Sequence, residues 1–441
     1  MRRTALAALL AACIPYGVLA QPLAADPAAP VPAAPYRSAF GSPMQLPPST
    51  EVNLADWMQA NADVGRNLRG HLDILKWEAA NAAPRDPAEP QPQSQPAAPP
   101  LTPAQAVALA LRHQAGLIDT PQASAQARAQ LDAEVLKLSH SVHRAWINAV
   151  AARQTEAHLR QLADAAQTGT ELGQRMARVG NWSRAQLLQE QLVQSAAVSQ
   201  LALAQQAAFS ATEELVRLLG LWGSTAQLAL PTQLPTLPAT VPDASDLEAT
   251  ALRHQPELSL AHLEAQRALA GVAEPHLRQW QQAVDTALKP ASPSAESTLG
   301  VPSATPVLDP RQVPMTHALE RAIRTQAQAH TLAVATRSQA REAYFRYRTA
   351  VDLAKHQQDT ALLAAALQDE TQLRYNGMLQ STWDLLASAR ARLQSESAAH
   401  QAQRDAWLAY VDLQAVLSGA VVNFSSTNSA AGSAPTANPG H

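Results

Sequence analysis

Among its 441 residues the chain has one cysteine, 16 glycines and 18 aromatic residues (8 Trp, 6 Tyr and 4 Phe). With Cys13 as the only thiol, no disulfide can form within the chain and no thiolate cluster can hold a metal. Scarce glycine argues against a fold made of many tight turns and short strands. Charged residues make up 16% and the formal net charge is −3, so no basic field points to nucleic acid. Beyond the first residues, no stretch supplies the ~20 consecutive apolar positions of a membrane helix. No Ser/His/Asp, Cys/His or paired-carboxylate pattern stands out, so the chain does not read as an enzyme and no cofactor is expected.

What is abundant is Ala, Gln, Leu and Arg, all good helix formers. The 32 prolines are clustered, which marks linkers. Residues 1–20 read as an export signal. Arg2 and Arg3 form a basic start, Thr4–Ala12 an apolar run, and Val18-Leu19-Ala20 a small-residue cleavage site. Leu10-Ala11-Ala12-Cys13 also resembles a lipidation motif, and cleavage after Ala20 is the reading adopted. The expected location is the outer membrane or periplasm of a Gram-negative cell. Residues 21–50 are Pro/Ala-rich and expected to be disordered. Residues 51–80 read as a short helical module carrying Leu54, Trp57, Leu68, Leu72 and Trp77. Residues 81–100 form a stiff linker, with seven prolines in the seventeen positions from Pro84. The Ser/Asn/Ala/Gly tail at 420–441 needs no structure.

The ordered body contains a repeat. Ala-Leu-Arg-His-Gln occurs at Ala110–Gln114 and again at Ala251–Gln255, and Ser183–Leu188 is echoed by Ser381–Leu386. His113 to His254 spans 141 positions, whereas Ser183 to Ser381 spans 198, so the second copy carries 57 residues that the first lacks. The copies are set at 101–230 and 246–419. In each, a short leading helix precedes a long antiparallel hairpin. The first long helix follows Pro121 with a stripe of Val135, Leu138, Val142, Trp146 and Val150, turns at Gly180-Asn181, and returns from a Ser183 cap. In the second copy Asp246 is expected to cap a helix that Pro256 breaks. One helix then runs from Glu257 into the 280s. A Pro-rich loop fills 290–314, and a very long helix turns at Asn376-Gly377 and returns over Thr382–Leu417. Some 60 helical residues span ~90 Å, so such helices need coiled-coil partners.

Four stretches together resemble the TolC-like outer-membrane efflux family. They are Leu101–Gln114, Arg178–Arg184, His254–Leu258 and Arg374–Leu386, an entry helix or repeat start followed by a hairpin tip, in order and twice over. The resemblance implies an all-α tandem repeat of coiled-coil hairpins, assembled as a trimer, that forms an exit duct for an inner-membrane pump joined by a periplasmic adaptor. It implies adaptor contact at the hairpin tips: Val179, Gly180, Asn181, Trp182 and Ser183, and Asn376, Gly377, Met378, Ser381 and Trp383. It also makes Asp384 a candidate gate residue, with a plain helix cap as the other reading. The family inserts membrane strands between the second and third helices of each repeat. Here those places, 114–125 and 283–314, show no alternation or aromatic girdle, so few or no membrane strands are expected. A strandless periplasmic coiled-coil paralogue that binds the adaptor or a full-length duct is the alternative reading.

Three further features have two readings each. His140 and His143 stand at metal-ligand spacing on one helix, but with no third ligand nearby they are expected on a solvated face. Trp182 and Trp383 either pack on an adaptor or staple their own hairpins. The 51–80 module either docks a partner or packs on itself.

Overall fold

A computed structural model of the chain describes residues 99–118, 124–223, 228–238, 246–288 and 316–422, together with Met58, Ala62 and Phe424. The leader, the 21–50 stretch, the rest of the 51–80 module, the 81–98 linker, the 289–315 loop and most of the tail lie outside the described residues. Among the described residues the chain is all-α, with no strand.

Helix α1 spans Pro103–His113. Thr102 accepts from the Gln105 N–H while the Gln105 side chain returns to the Thr102 N–H, and Pro103 stands in the first turn. A 3₁₀ turn at Ala115–Leu117 follows. Helix α2, Ala125–Arg178, is 54 residues long and is capped by Ser124. Its stripe Leu138, Val142, Trp146 and Val150 is buried, and Val135 is half-buried at the edge. Helix α3, Arg184–Leu219, returns alongside it. In the second copy, α4 is Leu247–His254, α5 Pro256–Ala270 and α6 Glu274–Ala287. The long pair is α7, His317–Asn376, and α8, Thr382–Leu417.

Two local expectations change. Asp246 precedes α4, but its side chain makes no capping bond. The single helix expected from Glu257 is broken at Gly271–Ala273 into α5 and α6. The reason is Pro275: continued through, its ring would meet the Gly271 carbonyl one turn back and its missing N–H would leave that carbonyl unpaired. At the start of α6 the same proline is tolerated.

The long helices lie side by side in the order α3, α2, α8, α7. Helices α4 and α5 pack on α7, and α1 packs on α2 and α3. One core joins Ala106 and Ala110 of α1 to Val142, Trp146, Val150, Leu215 and Leu219, with Trp407 and Val411 of α8 against it. A second joins Tyr347 and Val351 of α7 to Ala402, Ala406 and Leu413 of α8 and Ala251 of α4. Alanines dominate the seams, so the long backbones approach closely.

The repeated pentapeptide has a packing role. Each copy ends a leading helix, and its histidine abuts the glycine that ends the return helix. Gly220 (φ +66°) faces His113, whose Cβ would lie 2.9 Å from an added Cβ. Gly419 (φ +92°) faces His254, on whose carbonyl an added Cβ would land. Both glycines occupy the left-handed conformation that closes a helix, and both lack the space for a side chain. His254 Nδ1 adds a 3.1 Å bond to the Leu417 carbonyl.

Candidate functional site: the hairpin tips and the seam between the hairpins

Both tips close with the same hydrogen-bond pattern. In the first, the Asn181 N–H donates to Met176 (2.9 Å) and the Gly180 N–H to Ala177 (3.1 Å), with Gly180 at φ +79°. In the second, the Leu379 N–H donates to Arg374 (2.8 Å) and the Met378 N–H to Tyr375 (2.9 Å), with Met378 at φ +58°. These are Schellman closures. The left-handed position in the second tip is therefore Met378, not the Asn376-Gly377 pair that the sequence suggests, and Gly377 sits at φ −81°. Counted back from the capping serines, Gly180 and Met378 are the equivalent residues, each three before its serine. Met378 and Leu379 are almost fully exposed, and Val179 is at the exposed boundary.

The return helices begin with reciprocal boxes. Ser183 Oγ accepts from the Gln186 N–H, and the Ser183 N–H donates to Gln186 Oε1 at 2.9 Å. In the second tip, Ser381 Oγ accepts from the Asp384 N–H. The Ser381 N–H and O–H then donate to Asp384 Oδ2 at 3.0 and 2.8 Å. Those bonds hold the Asp384 carboxyl below its ordinary range. Asp384 thus caps the return helix.

The two tips are joined. The Trp182 and Trp383 rings meet edge to face, 5.3 Å apart at 83°. Trp182 lies over Gly173 of α2, where an added Cβ would sit 2.7 Å from the ring. Arg390 of α8 stacks over Trp383 at 5.8 Å and pairs with Glu190 of α3, which is fully buried. Glu190 Oε1 has no hydrogen-bond partner among the described residues. The tryptophans thus staple one hairpin to the other. The Glu190–Arg390 link was not legible beforehand, because its partners stand in different repeats, 200 positions apart. The one available signal was an acid inside the apolar stripe between Leu187 and Ala197.

Further from the tips, the seam between α2 and α8 carries polar ties. His140 Nε2 and Arg144 Nη1 both reach Asp412 Oδ1, at 2.7 and 2.5 Å. Burial pushes the Asp412 carboxyl up, but the bonds from His140 and Arg144 outweigh it and leave it below its ordinary range. His143 Nδ1 bonds the Ser139 carbonyl at 2.8 Å. These histidines are part-buried in the seam, not on a solvated face as expected, because α8 covers this side of α2. No group of three metal-ligating side chains occurs among the described residues. A cavity of about 330 Å³ beside the pair is walled by Trp146, Ile147, Trp407 and Tyr410.

Two long hairpins side by side, each with a short leading helix docked at its open end, match solved membrane proteins. A membrane protein from Pseudomonas aeruginosa superposes with a TM-score of 0.51 at 16% identity, over 72% of each chain. The outer membrane protein VceC from Vibrio cholerae superposes with a TM-score of 0.50 at 15% identity, over 83% of this chain and 95% of that one. The fold is that of the TolC-like outer-membrane channels. No protein-family model matches the sequence, and a comparison with curated proteins finds no match. The TolC-like fold is thus shared at an identity where sequence alone carries little signal. No helix among the described residues is long and apolar enough to cross a membrane.

Proposed function

We propose that the chain is a subunit of an envelope efflux duct, working as a homotrimer with a periplasmic adaptor and an inner-membrane pump. In this reading Val179–Ser183 and Asn376–Trp383 face the adaptor, and the protein is exported to the outer membrane or periplasm of a Gram-negative cell. The observation that carries the proposal is the pair of unsatisfied edges. Helix α3 packs on α2 and α1, and its outer face leaves Leu192, Leu203 and Phe209 exposed. At the opposite edge, α7 leaves Phe345, Leu362, Leu363, Leu367 and Leu373 exposed. The two apolar edges, roughly 25 Å from Leu192 to Phe209 and roughly 42 Å from Phe345 to Leu373 at ~1.5 Å per residue, are complementary in kind but belong to different helices. Head-to-tail packing of α3 on the α7 of the next copy covers both, and closes into a ring.

Leu363→Glu tests this. The protomer should keep its helical circular dichroism, because Leu363 touches solvent, while the trimer seen by mass photometry in detergent should largely dissociate. A wild-type protein that is monomeric after periplasmic cross-linking, with no adaptor co-purifying, sinks the proposal.

A second reading, the strandless periplasmic paralogue, draws on one observation. The described parts of the two places where the family inserts strands are helical: the turn at Ala115–Leu117 and helix α6. The remainder, 119–123 and 289–315, lies outside the described residues. Membrane fractionation separates the readings: heat-modifiable trimers in the outer membrane favour the duct, and a freely soluble periplasmic protein favours the paralogue.

A further inference from the structure

The segment 228–238, which leads from the first repeat towards the second, is a strap laid across the α2–α8 seam. On the α2 side, Arg153 Nη1 donates to the Leu228 carbonyl (3.3 Å) and Gln154 Oε1 accepts from the Leu234 N–H (3.4 Å). On the α8 side, Gln403 Nε2 and Trp407 Nε1 donate to the Pro235 carbonyl at 3.1 and 2.9 Å. Leu234 itself is buried in the first core.

The Gln154 amide has a second partner. Its Nε2 lies 2.9 Å from His400 Nδ1 on α8. Because its Oε1 is occupied by the Leu234 N–H, the amide nitrogen must be the donor to His400, and His400 Nδ1 must be the unprotonated acceptor. His158 stands edge-on to His400, ring centres 5.7 Å apart, and its Nε2–H donates to the Leu393 carbonyl at 2.7 Å. The His400 ring is thus held as a neutral tautomer at the seam.

We propose that His400 makes the anchoring of this strap pH-sensitive: the neutral ring holds the Gln154 amide in the orientation that binds Leu234, and protonation at Nδ1 reverses the amide and releases Leu234. The incoming proton, from solvent, places an N–H where the amide already presents an N–H. Two donors cannot share that bond. Rotating the amide by half a turn gives Oε1 to the new imidazolium N–H, and the Leu234 N–H then faces the NH₂ group and loses its acceptor. The α8 ties at Pro235 are untouched, so acid loosens the strap from the first hairpin while it stays bound to the second.

The charges around His400 leave the neutral ring favoured at neutral pH. Burial and the neighbouring His158 lower its affinity for a proton, against the opposing pull of Glu396 on its own helix. Glu396 is itself paired with Arg392 at 2.7 Å. On α2, Arg153 is committed to Leu228 and Glu156 to Arg160. On the antiparallel stretch of α7, Lys355, His356 and Asp359 are exposed, and the described strap carries no charge. With a lowered proton affinity, the anchored state is complete at and above the ordinary histidine range and is lost as pH falls below it.

Hydrogen–deuterium exchange on the full-length protein tests this, with labelling times scaled to the intrinsic amide rate at pH 7.5 and pH 5. In the wild type, protection of the peptide spanning 228–238 should fall about tenfold at the lower pH, the scale of one lost hydrogen bond. In His400→Gln, whose amide oxygen accepts from Gln154 but does not titrate in this range, protection should change by less than about twofold, well under one such bond. An equal fall in wild type and variant, or no fall in the wild type, overturns the proposal. Should His400→Gln fail to fold by circular dichroism, Gln154→Met, which has no amide to turn, must likewise give pH-independent protection. A pH-dependent fall in that variant overturns the proposal just as surely.

Discussion

Met378 occupies a backbone conformation that glycine adopts freely and an L-residue with a side chain adopts at a cost of roughly 1–2 kcal/mol. The glycine that could relieve it sits one residue earlier, at Gly377, where φ is negative and an added Cβ would meet nothing closer than 3.5 Å. The double substitution Gly377→Ala/Met378→Gly should therefore raise stability by about 1 kcal/mol by removing strain, since the unfolded chain loses freedom at 377 and gains it at 378 in similar measure. The result is read as a higher Tm of the purified protein, and an unchanged or lower Tm contradicts the assignment. Gly180 meets the same demand in the first tip without strain. In sequence the second turn is legible as a turn, from Asn376-Gly377. Its register is not, because only the hydrogen bonds from Met378 and Leu379 decide which residue goes left-handed. The capping serines, by contrast, could be read directly: Ser183 and Ser381 each stand three residues before a side chain able to return the bond.

Helices announce themselves by local composition, whereas the seams between them depend on distant pairs. The ends of α3 and α8 follow from Ser183, Gly220, Ser381 and Gly419, all local signals. The division of α5 from α6 was also local, in Gly271 and Pro275, yet the surrounding helical period masked it. That Trp182 faces Trp383 is of another kind, since nothing within either tip specifies the other. A double-mutant cycle of Trp182→Leu and Trp383→Leu should return a coupling of about 0.5–1.5 kcal/mol, the usual range for an edge-to-face pair beyond its burial. The coupling is measured from denaturant midpoints at constant m-value, and one near zero would mean that the hairpins are stapled by other contacts. Nearby, the buried Glu190 constrains the same joint: removing Arg390 alone leaves a charge in the interior with no counter-ion.

At the scale of the whole molecule, four long helices form one layer with an apolar edge on each side, and the inner seam α2–α8 is tied in part by ionisable groups. Asp412 is central there, with its carboxyl held below the ordinary range by His140 and Arg144 in spite of burial. A depressed carboxyl contributes stability that is present above the ordinary aspartate pKa and lost as pH falls through its lowered value. Melting of wild type and Asp412→Asn should therefore differ most near neutral pH and converge below about pH 4. A Tm difference constant across pH 3–7 would show that the carboxylate's charge contributes nothing. The sequence by itself determined that the chain is helical, duplicated and built of hairpins. Those properties rest on residue propensity, period and capping, which act within a few positions of the chain. Only the tertiary structure decided that His113 and His254 pack on the glycines closing their own hairpins. It alone paired His140 with Asp412 and His400 with Gln154, and it left α3 and α7 as open edges. These are meetings between residues tens to hundreds of positions apart, fixed by how long helices pack and by no signal local to either partner.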